Sequence, residues 1–224
     1  MPGPLLYYTG LMTYAFPRIY PILDRSFVPD AEKLDFLERL GGKMADAGVE
    51  LMEYRNKDGR DADVLAEAMA LRKAMPLVKL VMDDRVDVAL AAGFDGVHVD
   101  GGDLPVEAAK RLMGMDRLVG TSATTSEELR HALAGPASYI SFGPVFPTTT
   151  KKTSVTPIGL EGVRRFRAEA GTAAVLVAAA GITLGTAAAV LEAGASVVAV
   201  AAAIFAVDDP AAEFLRWKAE LGRV

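Results

Sequence analysis

The chain has 224 residues, 51% of them hydrophobic, and a net charge of −5 at pH 7: enough apolar content for one core, and no clustered positive surface for nucleic acid or anionic membrane. With no cysteine, disulfides, thiolate metal sites and thiol nucleophiles are excluded. The longest apolar run, 195–207, is too short to cross a bilayer and the N-terminus lacks the charged segment of a signal peptide, so the expectation is a cytoplasmic protein acting on small molecules.

Residues 1–17 carry Tyr7, Tyr8, Tyr14 and Phe16 and read as an appendage to a domain spanning 18–224. Those aromatics are expected to pack on the domain or on a second subunit, which leaves a homodimer open. Beyond them, short apolar runs alternate with helical patterns. The runs are Ile19–Asp24, Val49–Tyr54, Leu77–Met82, Gly96–Val99, Leu118–Thr121, Tyr139–Phe142, Ala174–Ala179 and Ser196–Ala201. Asp30, Ser126 and Thr183 read as helix N-caps, and Gly194 as a C-terminal stop. Apolar strands alternating with helices imply a parallel sheet covered by helices. Eight such units favour a closed (β/α)₈ TIM barrel, a single α/β domain, over an open doubly wound sheet. In that barrel the active site lies at the C-terminal ends of the strands.

The second run ends in Glu53, Arg55 and Lys57. Alternate residues of an extended segment face one way, which aims a guanidinium and an ammonium together at a polyphosphate oxyanion, unless they are simply a solvated edge. The third run ends in Asp83 and Asp84, and the fourth continues through His98 and Asp100 to Asp103. Carboxylates on neighbouring strand ends suit Mg²⁺, which takes one or two of them and completes its shell with water and phosphate. Asp84 and Asp103 are the candidates; N-capping of the helices that follow is the alternative for each. His98 is either a general base or a hydrogen-bonded structural residue, and Ser122 either a substrate donor or part of a serine turn.

After the sixth run comes SFGPVFPTTTKKTSVTP, 141–157, whose threonines and lysines offer donors to an anion. A long loop beside an active site is expected to close over substrate and to be mobile without it. The seventh and eighth runs lead into Ala180-Gly181-Ile182 and Ala201-Ala202-Ala203, which suit a backbone monophosphate site or plain helix packing.

Taken together, YPILD (20–24), EYRNKD (53–58), DDRVDVALAAGFDGVHV (83–99), DLP (103–105), VGTSATT (119–125), SFGPVFPTTTK (141–151), GLEGV (159–163), AAAGI (178–182) and AGASVVAVAAAI (193–204) resemble the thiamine-phosphate synthase family. The resemblance implies a transferase that joins hydroxymethylpyrimidine pyrophosphate to a thiazole phosphate, with Mg²⁺ as cofactor. It implies that Arg55, Lys57 and Lys151 contact pyrophosphate, that Asp84 and Asp103 hold the metal, and that Ser122, Thr148 and Thr150 line the substrate site. Gly181, Ala201 and Ala202 would take the thiazole phosphate.

The departures are clustered. Glu53 and Asp83 stand where the family has Gln and Asn, and Asp100 adds a carboxylate where a glutamine is lost; Ala180 and Ala202 stand where it has Gly and Ser. Extra carboxylates oppose pyrophosphate unless they are protonated, paired or metal-bound. They keep open an altered-substrate or non-catalytic phosphate-binding homologue, and the shared barrel keeps open a thiazole tautomerase-like isomerase.

Overall fold

The computed structural model describes residues 14–148 and 155–222. Eight parallel strands close in chain order: β1 (Ile19–Asp24), β2 (Leu51–Arg55), β3 (Lys79–Asp83), β4 (Gly96–Val99), β5 (Leu118–Ala123), β6 (Tyr139–Phe142), β7 (Leu176–Ala179) and β8 (Val197–Val200), with β8 paired back to β1. Around them run α1 (Lys33–Asp46), α2 (Asp61–Ala74), α3 (Val86–Ala91), α4 (Val106–Met113), α5 (Ser126–Ala134), α6 (Gly159–Ala170), α7 (Leu184–Glu192), α8 (Ala202–Phe205) and α9 (Pro210–Leu221). The architecture is the (β/α)₈ barrel that the alternation predicts. No described helix is long and apolar enough to cross a membrane.

Four strands begin later than their apolar runs, at Leu51, Lys79, Leu176 and Val197 rather than at Val49, Leu77, Ala174 and Ser196. Leu77 shows why, being 95% exposed in the turn before β3. Two of the expected caps also move. Asp30 does not cap α1; it accepts from Arg25 instead. Ser126 is the first residue of α5, whose cap is Thr125: its Oγ1 accepts the Glu128 N–H, and the Glu128 carboxylate accepts the Thr125 N–H. Thr183 caps α7 as expected, in reciprocal bonds with Thr186.

Strand alternation splits the apolar residues into two cores. Outward residues such as Met52, Tyr54, Leu80, Val97 and Val198 pack under the helices. Inward residues, among them Leu51, Val81, Leu118, Val177 and Val197, fill the lower barrel around Tyr20 and Tyr139. Phe16 stacks edge-on against Tyr139 at 5.6 Å, and Tyr14 against Phe16 at 4.8 Å, so both aromatics pack against this inner core. Tyr7 and Tyr8 lie outside the described residues.

One glycine makes this interior possible. Gly120 on β5 pairs with Tyr139 on β6, and a Cβ there would sit 2.0 Å from the Tyr139 ring. Its absence lets a large phenol lie across the barrel, bringing its hydroxyl to the centre of the interior.

Candidate active site

Above the inner core, the next inward residue of every strand except β1 is polar or small: with Ile22 of β1, the residues Glu53, Asp83, His98, Ser122, Ser141, Ala179 and Ala199 line one cavity of about 500 Å³ at the C-terminal end of the barrel. Arg55, Thr148, Ala180, Gly181, Ala201 and Ala202 line it too. The residues singled out on separate strand ends are therefore brought to one place, apart from Lys57 and Asp103, which line adjoining grooves, and Asp84 beside Lys57. Thr150 and Lys151, with the expected closure of their loop, lie outside the described residues.

At one side of the cavity the two cations converge. Arg55 Nε and Lys57 Nζ lie 3.5 and 3.3 Å from the same atom, Asp83 Oδ2. Arg55 also donates to Asp24 Oδ2, and Lys57 donates to Asp84 Oδ2 at 2.6 Å. Asp24 is itself held by the Ser26 N–H at 3.0 Å and the Ser26 hydroxyl at 2.6 Å. Burial acts against its charge, but the Ser26 and Arg55 bonds outweigh that and hold its carboxyl below the usual range. Asp83, 5% exposed, goes the other way: burial and the charge on Asp84 raise it, against His98, Lys57 and Arg55.

Asp84 does not cap α3; the cap position is Arg85, with no side-chain bond. Asp103 does not cap α4 either, since Pro105 holds that position, and its carboxylate instead accepts the Asp100 N–H at 2.8 Å. Asp84 has a left-handed backbone, φ 61°, with its N–H tied to the His98 carbonyl at 2.8 Å; a short polar side chain is among the few that tolerate this conformation. Burial and contact with the Asp84 carboxyl raise Asp103. Asp84 Oδ1 is buried and no hydrogen-bond donor reaches it. Two touching carboxyls, one with an orphaned buried oxygen, fit a divalent cation. Among the described residues no group of three or more His, Cys, Asp or Glu is placed to hold a metal ion; a carboxylate pair is what Mg²⁺ ordinarily takes from a protein, water and substrate oxygens completing its shell.

The floor of the cavity is a hydrogen-bonded chain across the barrel. Tyr20 donates to Glu53 Oε2 at 2.8 Å, its oxygen lies 3.0 Å from that of Tyr139, and Tyr139 lies 3.1 Å from His98 Nδ1. With Glu53 ionised, the single proton of Tyr20 is committed to it. Tyr20 then accepts from Tyr139, and Tyr139 accepts from His98 Nδ1–H. His98 Nε2 faces Ser122 Oγ at 3.0 Å and Asp100 Oδ1 at 3.3 Å, so Ser122 is tied to the histidine rather than to a serine turn. Burial disfavours the imidazolium, but the Asp100 bond and the charges of Glu53, Asp100 and Asp83 outweigh it and push His98 up to about 9. Burial pushes Glu53 up to about 7, the nearby His98 charge partly opposing it. His98 is thus a bonded partner of the floor, and His131 is exposed on α5.

Across the cavity, the β6 loop folds onto the end of β7: Val145 and Phe146 N–H bond the Ala179 and Ala180 carbonyls. Gly181 has φ 71°, and a Cβ there would meet the Phe146 carbonyl oxygen at 2.4 Å. Ala180, φ 67°, holds the same left-handed conformation with a side chain, a strained arrangement for a β-carbon.

Asp24, Tyr20 and Tyr139 were not singled out by sequence. Asp24 closes the first apolar run, but its register opposite Arg55 emerges only from the closed sheet. Tyr20 and Tyr139 lie within apolar runs, where nothing local marks a buried hydroxyl chain.

Residues 19–204 match the family described as thiamine monophosphate synthase. The thiamine-phosphate synthase of Koribacter versatilis is 38% identical over 168 residues, covering 75% of this chain and 79% of that protein. That of Anaeromyxobacter dehalogenans is 41% identical over 181 residues, covering 79% and 80%. A thiamine phosphate pyrophosphorylase structure from Pyrococcus furiosus superposes with a TM-score of 0.79 at 27% identity, over 92% of this chain and 96% of that one. With the family's span covering all eight strands and every strand end described above, the chain belongs to the thiamine monophosphate synthase family.

Proposed function

We propose that the protein joins hydroxymethylpyrimidine pyrophosphate to thiazole phosphate, forming thiamine phosphate and releasing pyrophosphate. The observation that carries this reading is the convergence of Arg55 and Lys57 on Asp83, a cavity-lining residue, with Lys57 also bonded to Asp84, in a family whose relatives bear the synthase name.

The bond between the pyrimidine methylene and the bridging oxygen breaks first, both electrons leaving with pyrophosphate. The thiazole nitrogen then supplies the pair that forms the new C–N bond. No side-chain nucleophile is needed. Arg55 and Lys57 hold the leaving group where its charge develops, and because Asp24, Asp83 and Asp84 fix them beforehand, little reorganisation is needed as that charge appears. Asp84 and Asp103 would hold Mg²⁺, which when bound supplies further positive charge against the pyrophosphate oxygens. Lys151 and Thr150 are proposed to add donors from the β6 loop, Ser122 and Thr148 to line the substrate, and the Gly181 and Ala201–Ala202 backbone to receive the thiazole phosphate.

The extra carboxylates are accommodated. Asp83 is shared by Arg55 and Lys57, Asp100 faces His98, and Glu53 titrates near neutrality. A protonated Glu53 has one donor and one acceptor, the pairing that an amide offers. The convergent cations favour this reading over an isomerase, which has no pyrophosphate to hold. The test is pyrophosphate release by the purified protein: the reading expects release only when both substrates and Mg²⁺ are present, and equally fast release from the pyrimidine pyrophosphate without thiazole phosphate would count against it.

A further inference from the structure

Glu67 is a buried carboxylate that the proposed chemistry does not touch. It lies on the inner face of α2 with Val64, Ala68 and Leu71, a position patterned for an apolar residue, and is 1% exposed. A charge there is costly unless its oxygens are satisfied. They are: Glu67 Oε2 accepts from Tyr54 Oη at 2.6 Å and from Asn56 Nδ2 at 2.7 Å, while Oε1 meets Arg25 Nε at 3.3 Å and Lys33 Nζ at 3.1 Å.

The partners reveal the purpose. Tyr54 is the outward residue of the β2 end, between the inward Glu53 and Arg55, and past the strand Asn56 turns to Glu67 while Lys57 turns to Asp83 and Asp84. Asn56 is 8% exposed and lies beneath Gly59, where a Cβ would sit 2.6 Å from its Nδ2. Glu67 therefore grips Tyr54 and Asn56, which alternate along the chain with Arg55 and Lys57, and through Arg25 it grips the β1–α1 loop adjoining Asp24, the acceptor of Arg55.

We infer that Glu67 is a positioning residue: it fixes the Tyr54–Lys57 segment so that Arg55 and Lys57 point together at the oxyanion of the substrate. The oxyanion part rests on the function proposed above; the anchoring of the segment does not.

Two measurements separate these parts. The first is amide hydrogen exchange at residues 54–58 in wild type, Glu67→Gln and the milder Tyr54→Phe, at a temperature where all are folded. Glu67→Gln turns one of the two acceptor oxygens into a donor, which then faces either Tyr54 and Asn56 or Arg25 and Lys33, and local exchange is expected to quicken about tenfold or more while the β7–β8 half keeps its protection. Unchanged local exchange, or uniform quickening across the barrel, would overturn the positioning role. The second is affinity for pyrophosphate with Mg²⁺, alongside KM for each substrate. Pyrophosphate affinity in Glu67→Gln is expected to fall about tenfold and the KM for the pyrimidine pyrophosphate to rise alike, with the KM for thiazole phosphate within twofold of wild type. Wild-type affinity and KM in a variant with quickened exchange would overturn the inference that Glu67 aims the cations. Wild-type protein that does not bind pyrophosphate would instead sink the proposed function and the oxyanion half of this inference, the exchange result still deciding whether Glu67 anchors the segment.

Discussion

Lys57 Nζ donates to Asp84 Oδ2 at 2.6 Å while the other oxygen of Asp84 is buried without a donor. One carboxylate thus orients the cation and, in the proposed reaction, would offer its free oxygen to Mg²⁺. Asp84→Asn is expected to lower turnover about 100-fold, the scale for one preorganised electrostatic group, and to raise the Mg²⁺ concentration needed for half-maximal rate. Lys57→Ala should lower turnover comparably without that shift. A Mg²⁺ titration of pyrophosphate release checks both, and an unaltered metal requirement in Asp84→Asn would remove Asp84 from the metal site.

Glu53 ionises near pH 7 because burial raises it. Below that pH it presents a donor and an acceptor; above it, acceptors alone. Binding of the neutral aminopyrimidine is therefore expected to weaken as pH rises from 6 to 8, about threefold or more, and Glu53→Gln should make that profile flat. The KM for the pyrimidine substrate against pH is the readout, and a profile unchanged by the substitution would contradict the assignment.

His98 gains its proton more readily in the fold than in the unfolded chain, at about 9 against 6.5. Its contribution to stability is complete below about pH 6.5 and lost as pH climbs through 9. NMR titration of the imidazole should give a midpoint near 9, and Asp100→Asn should lower it by about one unit or more by removing the facing charge.

Ala180 keeps a β-carbon at φ 67°. Left-handed strain costs about 1–2 kcal/mol, and the extra unfolded-state freedom of glycine takes back about 0.5–1. Ala180→Gly should thus stabilise the protein by about 0.5–1 kcal/mol in urea titration. A loss of stability would show that the surrounding loop has relaxed the strain.

How much of this was legible in the chain follows from what each feature depends on. The eight strands were readable because a barrel strand is buried on both faces and appears as a compact apolar run. Glu53, Arg55 and Lys57 were readable because two-residue spacing alone sets their common direction. The cap at Thr125 was readable in principle, as it stands three residues before Glu128 in a capping-box pattern, whereas Ser126 stands three before a leucine. The rest depended on distance across the barrel. Nothing local to Tyr20, Tyr139 or His98 says that their polar atoms meet, and Asp24 meets Arg55 only through the β1–β2 register. Glu67 was hidden for the opposite reason: on a helix a lone glutamate reads as solvated.

The most direct measurement is formation of thiamine phosphate by the purified full-length protein from hydroxymethylpyrimidine pyrophosphate, thiazole phosphate and Mg²⁺, with Arg55→Ala in parallel. The account predicts product in equal amount to pyrophosphate, dependent on both substrates and on metal, and about 100-fold slower in Arg55→Ala. A folded, Mg²⁺-binding protein that forms no thiamine phosphate would contradict it, and would mean that Glu53, Asp83 and Asp100 have turned the same cavity to another substrate.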